Sequence, residues 1–251
     1  MSTVKRLIFF SALILLWGIL ASRHIWDSTL FPSPIQVAKS LGGLISDGSL
    51  LNATAVSLRR VLVGYGISLA IGVPLGILLG RQDWAEQTLG SLVSGFQSLP
   101  SICWLPLALL WFGLNDRAIL FVIVMGSLVS ISVAVRDGVR NLPPTYVRAA
   151  RTLGTSPLRM YTDVLLPASL PAVLTGAKLG WSYAWRALMS GELLFVSLGL
   201  GHLLMMGREL ADMSQVLSVM IVIIALGLLT DTVIFGSLER YVRRSRGLGT
   251  A

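Results

Sequence analysis

The feature that most constrains this fold is the recurrence of long apolar runs, each near the ~20 residues an α-helix needs to cross a bilayer. They cover about Leu7–Ala21, Ala55–Gly80, Thr88–Phe112, Ala118–Val135, Ala172–Phe195 and Met213–Leu238. With 54% hydrophobic and 13% charged residues in 251, the composition does not fit a soluble domain. The reading is an all-α polytopic membrane protein with about six spans and a single transmembrane domain over residues 1–251. Leu7–Ala21 follows Lys5 and Arg6, a pattern that also fits a signal peptide; a retained first span agrees better with the membrane segments after it. Between the first two spans, Val37, Leu41, Leu44 and Ile45 share one helical face. That segment opens at Phe31-Pro32-Ser33-Pro34 and ends near Asp47-Gly48. It is either an amphipathic helix at the membrane surface or a helix packed on its own protein.

Sidedness follows from the basic residues. Lys5, Arg6, Arg81, Arg136, Arg140, Arg148, Arg151, Arg159, Arg240, Arg243, Arg244 and Arg246 fall on the side of the termini. Arg23, Lys39, Arg59, Arg60, Arg117 and Arg208 fall opposite, and Lys178 and Arg186 lie within a span. The bias places both termini and the 136–170 loop in the cytoplasm. Because the net charge of +8 sits beside spans and no nucleic-acid motif accompanies it, nucleic acid is not the expected partner. One cysteine, Cys103, excludes an intrachain disulfide. His24 and His202 are far apart without neighbouring ligands, so no metal site is expected.

Chemistry-bearing residues are few. No Walker A sequence occurs, Gly199 and Gly201 make only half of a dinucleotide fingerprint, and no triad or carboxylate pair is evident. The chain does not read as an enzyme and binds no cofactor of its own. A buried charge in a span costs at least ~2.5–3.5 kcal/mol, so Arg186 must face protein or a watery cavity. Two roles follow for it: a pathway cation attracting an anion, with Tyr183 and Trp185 in the wall, or an ion pair with Glu192 or another span's carboxylate. Lys178 is read as snorkelling to the interface, and Asp231 as a structural partner. Gly64, Gly66, Gly72 and Gly76, with Pro74, suit close helix crossings.

The most distinctive polar stretch runs from Arg148 to Pro167. A short helix over Tyr146–Leu153 is stopped by Gly154, and a new helix starts with Ser156 as N-cap and Pro157 as first residue. Tyr146, Ala149, Ala150 and Leu153 fall on one face, with Arg148 and Arg151 beside it, and the small alanines let a partner approach closely. Ala149-Ala150, Gly154, Val164 and Leu166-Pro167 resemble the EAA loop of ABC importer permeases, with Arg148 where that pattern has Glu. Phe31–Pro34, Ser57–Tyr65, Gly72–Gly76, Trp181–Ala187 and Leu238–Arg244 are similar to the nitrate/sulfonate/taurine branch. The resemblance implies the type I importer permease fold: two permease copies (a homodimer), two cytoplasmic ATP-binding subunits carrying ATP and Mg2+, and an extracytoplasmic substrate-binding protein, in a bacterial inner membrane. It makes 146–157 the coupling helix, with Tyr146, Arg148, Ala149, Ala150, Arg151, Leu153, Gly154 and Pro167 facing the ATPase, and the cargo a small anion. The alternative is an ion-coupled carrier or channel that needs no ATPase.

Overall fold

The structure is a computed structural model and describes residues 3–23, 27, 29–156, 159–194 and 197–245. Pro157, Phe195, His24 and Arg246, all invoked above, lie outside these residues. Among the described residues the helical segments are, in chain order, α1 (Thr3–Ser22), α2 (Pro34–Ser46), α3 (Ser49–Arg81), α4 (Asp83–Gln97), α5 (Ser101–Phe112), α6 (Asp116–Arg140), α7 (Pro144–Thr152), α8 (Met160–Leu194), α9 (Leu200–Glu209) and α10 (Met213–Val242). Helices α3, α6, α8 and α10 are each long and apolar enough to cross a membrane, and α4 with α5 forms a bent pair that together has the length and apolarity of a fifth, broken one. The apolar part of α1, Leu7–Ser22, is shorter.

Two expectations are corrected. The third span is not one helix over 88–112: it begins at Asp83, breaks at Ser98–Pro100 and turns by 104°. Leu99 precedes a proline, which disfavours its helical conformation, and Pro100 has no N–H to continue the ladder. Helices α3 and α8 carry Pro74 and Pro171 without such a break. The stretch between the fifth and sixth apolar runs, expected as a loop over Ser197–Asp212, is the second: α9 occupies most of it.

The chain forms two compact units. One combines residues 1–57 with 192–226. Here α2 starts with a capping box, in which the Gln36 N–H donates to Ser33 Oγ at 3.3 Å and the Ser33 N–H to Gln36 Oε1 at 2.7 Å. Its face turns inward at Val37, which is buried and whose carbonyl accepts from Ser218 Oγ of α10 at 2.9 Å, while Leu41 and Leu44 are half-buried and Ile45 is exposed. The helix therefore packs on its own protein, the second of the two readings above.

The other unit, residues 58–191 with 227–251, is built around α6. A row of small residues on α3 faces it. A Cβ at Gly64, Gly76 or Gly80 would come within 2.6 or 2.7 Å of Ile123, the Ser132 carbonyl or Val139, respectively. Between them, buried Ser68 accepts a hydrogen bond from Ser127 Oγ at 2.7 Å. Gly66 faces open space instead. Gly176 and Gly180 of α8 meet α6 as well, at Ala134 and Ile131. Small residues let backbones approach where the hydrophobic effect supplies little drive, as in lipid. Lys178 of α8 is paired with Asp231 (3.1 Å) and Glu239 (3.7 Å) of the last helix.

Candidate functional site

The break in the third span shapes a cavity of about 460 Å3. One wall is the break itself, from Phe96 to Ile102; α6 supplies Met125, Gly126, Val129 and Ser130, and α8 supplies Tyr183, Arg186 and Ser190. Non-helical backbone at membrane depth is tolerated only where protein buries it or a watery cavity receives it. Gly126 brings α6 close to both other walls, since a Cβ there would lie 3.1 Å from Ser101 and from Ala187. Phe96, Trp104 and Phe121 brace the break through edge-to-face contacts at 5.2 and 6.3 Å.

Among the described residues, Arg186 is the only charged one lining this cavity. Its guanidinium lies 5.3 Å from the centre of the Tyr183 ring, a cation–π contact, and among the described residues it forms no ion pair. With the hydroxyls of Ser98, Ser101, Ser130 and Ser190 and the Gln97 amide around it, the site offers donors and positive charge without a competing carboxylate. An anion suits that inventory.

Tyr183 thus stands in the wall as expected, whereas Trp185 and Glu192 sit elsewhere. Trp185 stacks on Trp181 (6.3 Å, 19°), Trp181 meets Tyr65 edge-to-face at 5.2 Å, and neither tryptophan lines the cavity. Glu192 is fully buried; Ser57 Oγ lies 2.7 and 2.9 Å from its two oxygens, and the Gly201 N–H donates to it at 3.0 Å. Gly199 and Gly201 fold closely over Glu192: a Cβ at Gly199 would fall 2.5 Å from its carboxylate, and one at Gly201 2.6 Å from its Cβ. The glycine pair has a packing reason, which the sequence pattern alone did not reveal.

At the opposite end of α6, α7 follows after Asn141, Leu142 and Pro143. It closes with a Schellman turn: the Thr155 N–H donates to the Ala150 carbonyl (3.1 Å) and the Gly154 N–H to the Arg151 carbonyl (3.0 Å). Gly154 supplies the left-handed residue at φ +72°. The predicted face divides. Ala150 is turned inward and packs with Met160 and Leu165, supported by Leu142, Val147, Tyr161 and Val164. Tyr146, Ala149 and Leu153 point outward, and Leu153 is 84% exposed. Arg148, Arg151, Gly154 and Pro167 are also exposed. Gln82 Nε2 donates to Tyr161 Oη at 2.9 Å, tying this loop to the end of α3.

Residues 72–247 match the family described as binding-protein-dependent transport system inner membrane component. The chain belongs to this family. It is an ABC transporter permease, a multi-pass component of a transport system rather than an enzyme. It is 31% identical over 213 residues to a protein named as the aliphatic sulfonates transport permease SsuC of Escherichia coli K12, covering 84% of this chain and 81% of that one. It is 30% identical over 241 residues to the nitrate import permease NrtB of Leptolyngbya laminosa, covering 92% and 85%. A solved structure of the MetNI methionine ABC transporter in inward-facing conformations shares the permease's fold. The match has a TM-score of 0.69 at 20% identity over 77% of this chain and 96% of that one.

Proposed function

We propose that this permease imports a small oxyanion, of the nitrate or organosulfonate kind, through a pathway that includes the Arg186 cavity. The observation that carries the reading is a lone guanidinium over a cavity at a broken span, with no acidic residue in the lining. A cation in a low-dielectric passage lowers the barrier to an anion and opposes cations. The relatives named for sulfonate and nitrate transport support the same chemical class. The outward face of α7, with Tyr146, Ala149 and Leu153, docks on one of two ATP-binding subunits, which carry ATP and Mg2+. A second copy of the permease completes the pathway and a substrate-binding protein delivers the anion from outside, with both termini in the cytoplasm.

The test is ATP-driven uptake of labelled nitrate and methanesulfonate by the reconstituted complex. Arg186→Gln should reduce uptake at least tenfold while the assembled complex is recovered in equal yield, and Arg186→Lys should retain part of the rate. Equal uptake by Arg186→Gln would overturn the pathway assignment.

A further inference from the structure

A second cavity, of about 390 Å3, opens where α3, α6 and α7 converge. Arg81, Arg140, Arg148 and Arg151 stand in its wall, with Asp83 as the one acidic residue there. Arg81 is the last residue of α3 and Arg140 the last of α6. These two ends are pressed together, since a Cβ at Gly80 would sit 2.7 Å from Val139 Cβ. Both spans end here in arginine, the residue type that meets headgroups at the ends of membrane helices.

The charges in it are not balanced. Arg140 is engaged with Glu86 at 3.2 Å, but Arg81, Arg148 and Arg151 form no ion pair among the described residues. Three guanidinium groups around one cavity repel one another unless an anion sits between them. Phosphate suits guanidinium forks, which reach it through paired N–H donors.

Direction then selects the source of the phosphate. Successive residues of a helix turn by about 100°, so Val147, Arg148 and Arg151 lie on the far side of α7 from Tyr146, Ala149 and Leu153. The cavity therefore opens on the side of α7 turned toward the span ends, away from the face free for a soluble partner. We propose that this cavity binds the phosphate of an anionic phospholipid headgroup. The proposal rests on the membrane spans and the arginine geometry, and is independent of which anion is imported. A bound lipid would hold α7 against the ends of α3 and α6.

The test is lipid binding to the full-length, delipidated permease in maltoside detergent, followed by native mass spectrometry. The added probe is phosphatidylglycerol, phosphatidylcholine or sodium phosphate. Phosphatidylglycerol should bind in preference to phosphatidylcholine and should not be displaced by millimolar sodium phosphate. The double variant Arg148→Gln/Arg151→Gln should weaken it roughly 30-fold, at about fivefold for each arginine near an anionic headgroup. Arg208→Gln, in α9, should leave binding unchanged. Equal binding of the two lipids, full displacement by sodium phosphate, or undiminished binding by the double variant would each overturn the proposal. Should the double variant fail to fold, Arg81→Gln reads the same cavity from α3. Neither transport nor an ATPase enters the readout, so failure here is distinct from failure of the import reading.

Discussion

Replacing Ser57 with alanine removes one oxygen atom and should cost far more than a typical surface serine. Ser57 has no exposed surface, and its hydroxyl does two things at once. It donates to the buried Glu192 carboxylate, at 2.7 Å to the nearer oxygen, and accepts the Leu200 N–H at 2.9 Å. Loss of a hydrogen bond to a charged group costs about 1.5–3 kcal/mol, and a buried N–H left without an acceptor costs about 1–3 kcal/mol. The sum is about 4 kcal/mol, which for a chain of this length lowers the unfolding midpoint on the order of 10 °C. The assay is thermal unfolding in maltoside detergent, followed by tryptophan fluorescence. Ser46→Ala is the control, because Ser46 is exposed and its hydroxyl serves only the Gly43 carbonyl; it should stay within about 0.5 kcal/mol. A midpoint for Ser57→Ala within 2 °C of that control, roughly half a kcal/mol on the same scale, would refute the hydrogen-bond reasoning.

Other outcomes follow from particular contacts. Gly138→Ala should destabilise by about 1–3 kcal/mol in the same assay, because the added methyl would overlap Ala172 Cβ at 2.0 Å. Gly154→Ala should cost about 1–2 kcal/mol for the left-handed backbone, with Gly154→Asn milder; the fraction of ATP-driven uptake retained should rank in the same order. Leu153→Asp, at an 84% exposed position, should leave the unfolding midpoint unchanged yet reduce recovery of ATP-binding subunits in purification; full recovery would contradict docking through this face. Pro143→Gly should lower uptake more than ATP hydrolysis, measured together in proteoliposomes, by softening the link between α6 and α7.

Much of the fold was legible because it depends on local composition. Apolar runs located the spans, and the Gly154 stop set the end of α7 correctly, since a left-handed residue is a strictly local requirement. What escaped depends on distant partners. Pro74, Pro100 and Pro171 look alike in sequence, but only Pro100 sits at a break, where the freed backbone finds a cavity to face. Ala150 shares a helical face with Tyr146 and Leu153, but Met160 and Leu165 cover it, and their return across α7 is a matter of tertiary packing. Glu192 reads as a partner for Arg186 along one helix, six residues away. Its donor Ser57 is 135 residues distant and carries no motif. The serines and Gln97 that line the first cavity carried only one sequence signal, the interruption Ser98-Leu99-Pro100-Ser101.

Helix α6 is a wall of the first cavity at Gly126 and Ser130, and its last residue, Arg140, is separated from α7 by a short link ending in Pro143. Its branched side chains Ile123, Val135 and Val139 mesh with the glycine row of α3 like teeth in a rack. The two helices cannot slide past each other without climbing out of that mesh. A force applied at α7 would meet this locked pair, with the unwound stretch at Ser98–Pro100 facing it across the first cavity.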